Sequence, residues 1–516
     1  MAHCAFLPPS QSENLSAQNK KNKKIIIIIL IFEISALISN SPLFFCHHGI
    51  ERIIEPIKTT IRMKHPALSF LLFAFATVIF NCLFWNSKAY AAIDAYRNTK
   101  PTNAMNDPQQ QQEQPTVVIC GGGPGGLLAS VLLNNIGIKS TIVEQAVETS
   151  PWGIKSYSII LNEKGKDSLE RGKCLEAAIE AGQERKFTVI FNPTTGETKG
   201  LPKNPPNLSI TRHLLVQCIE RIAVGLPHVT FRKGVGVSGV VSENGATDLR
   251  IDLKDGTSIH ATHVIGADGK WSNVRRSHPS FSSTMVTCPS SAVHMNMAGI
   301  PEGWDSNGTY ILKPTNEECK FYIIASALPD DCEMSITMVY FDQALEKYPW
   351  LEPPESATPK NYNEGWNNGE TETIPNAENS KVAHHMKTLF EEELPAFSAL
   401  LDDEVYRTAV VRRRATWLQM EAQDGKAVTY SSNDGRVSLI GDAAHAMTAS
   451  IGEGCNTALD SAVKLVDSIV ETMKEKDETS CTTNTLSLAF TRYGSSRPKE
   501  CISIQELSAS RSTLKN

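Results

Sequence analysis

A run of glycines that begins at Gly121 offers its backbone, rather than its side chains, for chemistry. It follows the short apolar segment 116–120 and leads into an apolar helical stretch at 127–135. In that setting Gly121 permits a tight turn, Gly123 lets the main chain approach a pyrophosphate, and Gly126 allows the helix to pack closely on the strand. The N-terminus of the helix would then present its partial positive charge to the phosphates. The order of strand, turn and helix therefore predicts a dinucleotide-binding site.

A carboxylate ends the next predicted strand. Residues 140–143 are rich in β-branched side chains, and Glu144 follows them, 18 residues after Gly126. A carboxylate at this position can accept hydrogen bonds from the hydroxyls of an adenosine ribose. A second G-x-G-x-x-G match, at 234–239, is followed by a strand and a turn with no helix to receive a phosphate. We therefore interpret that second match as a chance one.

Two later segments place polar groups at the ends of apolar runs. One run ends just before Asp268 and Gly269, and another ends just before Gly441 and Asp442. A further glycine-rich turn precedes a helix predicted at 457–473, and its members are Gly452, Gly454, Cys455 and Asn456. Carboxylates and backbone N–H groups at such turns can hold the hydroxyls and phosphates of a nucleotide cofactor.

Two residues of these segments are of the types that serve as catalytic nucleophiles and bases. Cys455 has no His or Asp placed by the sequence to activate its thiol, so we interpret it as a packed residue. His445 closes the motif that begins at Gly441, and we interpret it as a packing residue of that motif rather than as a general base. No catalytic side chain is assigned.

These segments form three fingerprints: the glycine turn at 121–126, the segment that ends at Asp268 and Gly269, and the segment from Gly441 to Asn456. In this order and at these distances they resemble those of the FAD-dependent class A monooxygenases, the aromatic hydroxylase family. The resemblance covers residues 116–508. It implies a bound FAD, a transient NAD(P)H co-substrate without its own domain, and insertion of one oxygen atom through a flavin C4a-hydroperoxide. In such an enzyme the cofactor carries the chemistry, and the protein supplies binding, orientation and electrostatics.

The same resemblance assigns roles to individual positions. It implies that Asp442 binds the ribitol or pyrophosphate side of FAD and that Asp268 serves both FAD and the nicotinamide cofactor. Arg212, at a predicted helix start, would lie near FAD, and the backbone of 454–456 would face the flavin pyrimidine. The cofactor-binding candidates are Gly121, Gly123, Gly126, Glu144, Arg212, Asp268, Gly269, Gly441, Asp442, Gly452, Gly454, Cys455 and Asn456.

Within this family the chain most resembles the kynurenine 3-monooxygenases, in segments such as 156–162, 309–314 and 321–325, but it departs from their pattern and, at one turn, from that of many relatives. Those enzymes hold the carboxylate of their substrate with an Arg and a Tyr, and Val189 and Lys203 align with these positions. Arg185 or Lys203 could supply a cation instead. The second departure is in the turn 447–451, which has no proline although many relatives do.

The elements that must position these residues form an α/β fold. A Rossmann-like FAD-binding domain is interleaved with a mainly antiparallel β-sheet substrate domain, and an apolar targeting or anchor leader precedes both. The predicted segments are a leader (1–91), a flexible linker (92–114), FAD-binding parts (115–185, 210–285 and 431–480), a substrate-domain strand pair (186–209), a substrate domain (286–430) with a polar insertion (351–380), and a C-terminal helix (481–516).

The leader contains an apolar run of 19 residues at 67–85, which follows Met63 and precedes Ala89-Tyr90-Ala91. Two interpretations remain open, a signal peptide at 63–91 that starts at Met63 or ends a longer leader, and an uncleaved membrane anchor. Both predict a protein at a membrane, in the secretory pathway or in an organelle.

Composition narrows the class of partner. The net charge of −6 leaves no global basic field for a nucleic-acid backbone, so no nucleic-acid partner is expected. The twelve cysteines include no C-x-x-C pair, so no metal site is expected.

The sequence thus predicts an FAD-dependent, NAD(P)H-using monooxygenase that acts with dioxygen on an electron-rich, aromatic or other ring. Two alternatives remain open. One is an isoprenoid or quinone-ring oxygenase or epoxidase at a membrane, and the other is a non-catalytic FAD-binding electron-carrier or structural module.

Overall fold

A computed structural model describes residues 115–148, 158–242, 248–314, 316, 318–328, 333–352 and 376–511. The predicted leader, the signal peptide within it and the linker lie outside the described residues, as does most of the predicted polar insertion. Within the described ranges no helix is both long and apolar enough to cross a membrane. No cluster of three or more His, Cys, Asp or Glu side chains in this part of the chain could hold a metal ion.

Eighteen strands and twelve helices are described in this part of the chain. The strands are β1 (Thr116–Cys120), β2 (Lys139–Glu144), β3 (Ser158–Leu161), β4 (Gln183–Phe191), β5 (Thr198–Thr211), β6 (Val229–Lys233), β7 (Val237–Ser242), β8 (Leu249–Leu253), β9 (Ser258–Ala261), β10 (His263–Gly266), β11 (Ser282–Thr287), β12 (Ser290–Met297), β13 (Gly308–Leu312), β14 (Phe321–Ala327), β15 (Met334–Phe341), β16 (Val410–Val411), β17 (Thr416–Glu421) and β18 (Val437–Leu439). The helices are α1 (Pro124–Asn135), α2 (Glu163–Arg171), α3 (Leu175–Ala181), α4 (Arg212–Val224), α5 (Asn273–Ser277), α6 (Ala344–Lys347), α7 (Asn376–Glu393), α8 (Pro395–Ser398), α9 (Asp403–Arg407), α10 (Asp442–His445), α11 (Gly454–Glu475) and α12 (Thr483–Arg511).

A five-stranded parallel sheet carries the three fingerprints. Its order is β18-β10-β1-β2-β6, with β1 at the centre, and Cys120 pairs with Gly266, which pairs with Leu439. The apolar run of β1 explains its place, because its residues from Val117 onward are at most 4% exposed and a central parallel strand is buried on both faces. The carboxyl ends of β1, β10 and β18 therefore lie side by side, and the turns after them meet at one edge of the sheet.

An eight-stranded sheet in the order β16-β12-β15-β14-β13-β4-β5-β3 forms the second layer. All its pairs are antiparallel except β4 with β13, so the expectation of a mainly antiparallel sheet is confirmed. The early strand pair, β4 and β5, belongs to this sheet, because β4 also pairs with β13 and β5 also pairs with β3. Apolar side chains of α7, α8 and α9 pack with one face of the sheet in a second core.

The match at 234–239 lies in an antiparallel arrangement. Its last residues belong to β7, which pairs with β8 and then β9 in a three-stranded sheet, so no helix N-terminus follows it. This confirms the interpretation of that match as a chance one. The long helices α11 and α12 pack on each other, and α11 also packs on α1.

Candidate functional site

The first glycine turn is held by close backbone contacts. Gly121 has a φ of +111°, a conformation that side chains rarely adopt. A Cβ on Gly126 would lie 2.2 Å from the carbonyl oxygen of Gly121 and 3.1 Å from the Cβ of Ala267. The helix α1 therefore approaches the strand edge as closely as predicted. Its N-cap Gly123 has no side-chain capping bond, so the first N–H groups of α1 are open to a ligand.

Glu144 lies against this turn at the end of β2. Its Oε2 accepts a hydrogen bond of 2.6 Å from the backbone N–H of Gly122, and its Oε1 accepts one of 2.9 Å from that of Ala146. Each carboxylate oxygen keeps further acceptor capacity. The carboxylate is thus fixed beside the phosphate-binding turn, where the predicted ribose would lie.

Arg212 brings a cation to the same turn from the eight-stranded sheet. It is the first residue of α4, directly after β5. Its Nη2 lies 3.7 Å from the point that a Cβ on Gly123 would occupy. The sequence predicted a position near the cofactor, and the structure brings this guanidinium to the glycine turn.

Asp442 lies in the third fingerprint, and the region bounded by it, Lys270, Arg212 and the start of α1 is called the recess below. Its side chain is exposed to the recess. Desolvation by the surrounding protein raises the pKa of Asp442, and this outweighs the lowering effect of the cations Lys270 and Arg212. The ammonium of Lys270 donates a 2.7 Å hydrogen bond to the carbonyl of Thr416. Gly441 precedes α10, and a Cβ there would lie 3.2 Å from that of Ala458. A carboxylate and two cations therefore meet at the edge of the parallel sheet.

The two carboxylate oxygens of Asp268 differ in their hydrogen bonding. Oδ2 accepts hydrogen bonds from the backbone N–H groups of Asn273 at 2.7 Å and Val274 at 3.2 Å. Oδ1 is buried and has no hydrogen-bond partner in the described ranges. Burial raises the pKa of Asp268. Gly269 follows with a φ of +82°, and nothing lies within 4 Å of a Cβ placed there.

The third fingerprint opens the long helix α11. Gly452 lies at the end of the preceding turn, Gly454 begins the helix, and the N-cap Glu453 makes no side-chain capping bond. The amide of Asn456 turns away from the recess, because its Nδ2 donates to the carbonyl of Ile160 at 2.9 Å and its Oδ1 accepts from the N–H of Asn162 at 3.1 Å. Only the backbone of Asn456 can serve the cofactor.

Neither Cys455 nor His445 is poised for acid–base or nucleophilic chemistry. Burial raises the pKa of Cys455 to about 12, which keeps its thiol protonated near neutral pH. His445 is fully buried, with its Nε2 2.8 Å from the Oγ of Ser461, and burial lowers its pKa to about 3. Both residues therefore match their interpretation as packing residues.

Three buried neutral histidines predict a loss of stability in mild acid. Burial lowers the pKa of His263 and His445 to about 3 and that of His294 to about 4. In the unfolded chain a histidine has a pKa of about 6.5, so below this pH the unfolded chain binds protons that the folded chain does not bind. Each of these histidines therefore lowers the free energy of unfolding by up to about 1.4 kcal/mol for each pH unit below 6.5. Urea unfolding of the full-length protein at pH 7.5, 6.5 and 5.5 measures this. His445→Gln should flatten the slope, the exposed control His384→Gln should not, and equal stability at all three pH values would contradict the buried neutral state.

Sequence reasoning assigned no role to two cations of the second fingerprint. Lys270 follows Gly269 and faces Asp442, as described above. Arg275 joins the second fingerprint to the third, because its Nη1 donates to the carbonyl of Ala443 at 2.6 Å and its Nη2 to that of Lys270 at 2.9 Å. Their closeness in sequence to Asp268 was the only available signal.

The cations considered for a substrate carboxylate differ in burial. Lys203 is exposed, and Val189 packs in the helix-covered core. Arg185 is 1% exposed and donates to the carbonyl oxygens of Ser306 and Ala327. Its Nε has no hydrogen-bond partner, and no carboxylate of the described residues forms an ion pair with it. Arg185 is therefore the buried cation of this sheet that lacks a counter-charge.

The residues present fit an FAD molecule. Two helices, α1 and α11, begin at the recess, and neither has a side-chain cap at its N-terminus. The partial positive charge of a helix N-terminus suits the phosphates of FAD and the electron-rich flavin ring. The exposed carboxylate of Asp442 and the unpartnered Oδ1 of Asp268 are acceptors for hydroxyl groups.

Residues 114–358 and 383–483 match the sequence model of a family described as FAD binding domain. A curated relative is the dual trans-enoyl reductase/FAD-dependent monooxygenase tazHJ of Aspergillus terreus, which is 24% identical over 261 residues. The match takes in 48% of this chain and 32% of the relative, so the chain spans about a third of the length of that relative.

Three solved structures, one of an oxygenase and two of proteins in complex with FAD, share the fold. The tetrameric 2-methyl-3-hydroxypyridine-5-carboxylic acid oxygenase is 17% identical with a TM-score of 0.56, over 77% of this chain and 91% of the other. Klebsiella pneumoniae HpxO, in complex with FAD and uric acid, is 16% identical with a TM-score of 0.56, over 78% and 90%. CtdE in complex with FAD is 15% identical with a TM-score of 0.57, over 77% and 92%.

Proposed function

Since the chain belongs to the FAD binding domain family, we propose that it is an FAD-dependent monooxygenase that hydroxylates an aromatic or other electron-rich ring with dioxygen and NAD(P)H. The enzyme is an oxidoreductase. The observation that carries the proposal is the recess in which two uncapped helix N-termini, the carboxylate of Asp442 and the guanidinium of Arg212 meet. Such a set of groups suits a cofactor with a pyrophosphate, a polyhydroxyl chain and a ring that accumulates negative charge.

Bound FAD would supply the redox and oxygen chemistry, and the residues of the chain would bind and orient it. The N-terminus of α1 would hold the pyrophosphate, with Arg212 beside it. Asp442 would accept hydrogen bonds from the hydroxyl chain while Lys270 balances its charge. The N–H groups at Gly454 would stabilise negative charge on the ring, because a helix N-terminus carries partial positive charge.

Arg185 supports the finer proposal of a carboxylated ring substrate, as in the kynurenine 3-monooxygenases. It lies on β4 and its Nη2 donates to the Oγ of Ser209 on β5 at 3.2 Å. Ser209 is three residues before Arg212, which corresponds to about 10 Å of backbone along β5. A buried cation without a counter-charge is costly, and the carboxylate of a bound ligand would offset that cost.

Replacing Arg185 by methionine is expected to raise the KM for carboxylated aromatic substrates about tenfold or more, the effect of losing a charge-assisted hydrogen bond. Turnover of neutral phenols should change little. Steady-state kinetics on both substrate classes measures the difference. The control Lys203→Met removes an exposed cation from the partner strand and should leave both KM values unchanged. A uniform loss for both classes would refute a carboxylate-binding role.

The visible spectrum of the purified full-length protein tests the proposed function. It is recorded before and after anaerobic addition of NADPH or NADH, with kynurenine and with a panel of phenols and quinols. A yellow protein whose bleaching is accelerated by one ligand class is the expected result. Acceleration by quinols alone would favour a membrane quinone-ring oxygenase. A yellow protein that neither nicotinamide bleaches would favour a non-catalytic flavin-binding module, and a colourless one would overturn the FAD assignment.

A further inference from the structure

We propose that the hydroxyls of Thr448, Ser450 and Ser508 form a clamp that holds the turn between α10 and α11, and that Ser508 is a positioning residue for the flavin-side turn. This inference rests on the proposed function. The turn 447–451 contains no proline ring to restrict its backbone. Contacts with the last helix, α12, would restrict it instead.

The clamp is a network of six short contacts among the three hydroxyls and the carbonyls of Thr448 and Ser508. The Oγ1 of Thr448 donates to the carbonyl of Ser508 at 3.0 Å, and the Oγ of Ser450 donates to the same carbonyl at 2.6 Å. The Oγ of Ser508 lies 2.8 Å from the carbonyl oxygen of Thr448 and 2.5 Å from the Oγ1 of Thr448. Each hydroxyl has a single proton, so at most three of these contacts are hydrogen bonds at any one time. Thr448 is 4% exposed and Ser508 is fully buried, so water cannot easily replace these bonds.

Gln505, one turn earlier in α12, extends the hold. Its Nε2 donates to the carbonyl of Ala446 at 3.0 Å and to that of Leu418 in β17 at 2.6 Å. Residues three apart share a helix face, so Gln505 and Ser508 present one polar stripe to the turn. The last helix therefore fixes the beginning of the turn through Gln505 and its middle through Ser508.

The turn lies next to the start of α11, so the clamp would also affect the position of that helix start. The turn joins α10, which begins with Asp442, to α11, which begins with Gly454. The Cγ of Met447 lies 3.8 Å from the point that a Cβ on Gly454 would occupy. A shift of the turn would thus move the helix start that we assign to the flavin ring. Loss of the clamp should loosen the turn beside the helix start that we assign to the flavin ring, without removing any group that binds FAD.

The backbone of the turn would accept the missing proline. Thr448 has φ −72° and ψ 158°, the extended conformation that proline requires of the residue before it. Ala449 is the first residue of the 3₁₀ helix Ala449–Ile451, a position where the N–H that proline lacks is not needed by the helix. Ala449→Pro should therefore stiffen the turn by a second, independent route.

Amide hydrogen exchange of the full-length protein, with and without added FAD, tests the clamp. We expect residues 446–452 to exchange about fivefold faster in Ser508→Ala, the factor for one ordinary hydrogen bond. Ser450→Ala should do the same from the turn side, and it serves if the buried variant fails to fold. Ser503→Ala is the matched control, because Ser503 is exposed on the same helix and its Oγ donates to the carbonyl of Lys499. The double variant Ala449→Pro/Ser508→Ala should exchange at the wild-type rate.

A catalytic measurement adds a readout that general loss of stability would not move. In Ser508→Ala the share of NAD(P)H electrons that ends as hydrogen peroxide should rise, and Ala449→Pro should reverse that rise. Unchanged exchange in both alanine variants, or no reversal by proline, would overturn the clamp. If the wild-type chain binds no FAD, the proposed function fails by itself, while the exchange comparison still decides whether the clamp exists.

Discussion

Replacing Asp442 by alanine is expected to give a full-length protein that loses its flavin during gel filtration. Asp442 is the exposed carboxylate of the recess, where Lys270 and Arg212 act on it. Its removal deletes the carboxyl acceptor proposed for the hydroxyl chain of FAD and takes away the group on which Lys270 and Arg212 act. We expect FAD affinity to fall about a hundredfold or more, because hydrogen bonds to charged groups are the strong ones. Fluorescence titration with FAD measures the change.

Two further variants identify the cause of that loss. Asp442→Asn keeps the shape and one acceptor oxygen but removes the charge, so its affinity should lie between those of the wild type and the alanine variant. Asp467→Ala removes a carboxylate that pairs with Arg171 on the outer side of α11, and its FAD affinity should be unchanged. Full FAD occupancy in Asp442→Ala would show that the cofactor lies elsewhere.

Replacing Gly126 by alanine should damage both the fold and the cofactor site. The added Cβ would lie 2.2 Å from the carbonyl oxygen of Gly121 and 3.1 Å from the Cβ of Ala267. Both neighbours belong to the turns at the edge of the parallel sheet, so α1 must move away from the strand. Overpacking costs about 1–3 kcal/mol, and the contact with a backbone carbonyl places this variant at the upper end of that range. Urea unfolding and FAD titration should both register the change.

The matched control is Gly200→Ala. Gly200 lies in β5, is exposed, and has no atom within 4 Å of an added Cβ. The same chemical change there should alter the free energy of unfolding by about 0.5 kcal/mol or less, as at other surface sites. If Gly126→Ala were as stable as Gly200→Ala, the close approach of α1 to the glycine turn would be wrong.

The local elements of the site could be predicted because they depend on short-range sterics. The apolar run before Gly121 specifies a buried strand, and the glycines that follow specify a turn that only they can adopt. The same logic located the strand ends before Asp268 and Asp442. These positions lie side by side in the structure because parallel strands bring their carboxyl ends to one edge of the sheet.

Other contributions arise between residues that are distant in sequence. Lys270 acts on Asp442, and Asn456 bonds to the backbone of Ile160 on another element. The sequence left open whether Arg185 or Lys203 supplies a cation in place of the missing Arg and Tyr, and only the structure shows that Arg185 is buried without a counter-charge while Lys203 is exposed. A bulge between Arg185 and Phe187 shifts the register of β4 against β5, and no periodic pattern in the sequence announces it.

The sequence by itself determined a dinucleotide-binding site, because strand, glycine turn and helix form a local unit whose sterics and dipole do not depend on the rest of the chain. The choice of FAD came from the resemblance carried by the two later fingerprints. The tertiary structure alone decided how the turn at 447–451 is held. A reader of the sequence finds a missing proline there, and only packing of the last helix brings Ser508 to Thr448, across 60 residues of chain. Hydrogen bonds between distant segments depend on the packing of whole elements, and that packing is a property of the complete fold.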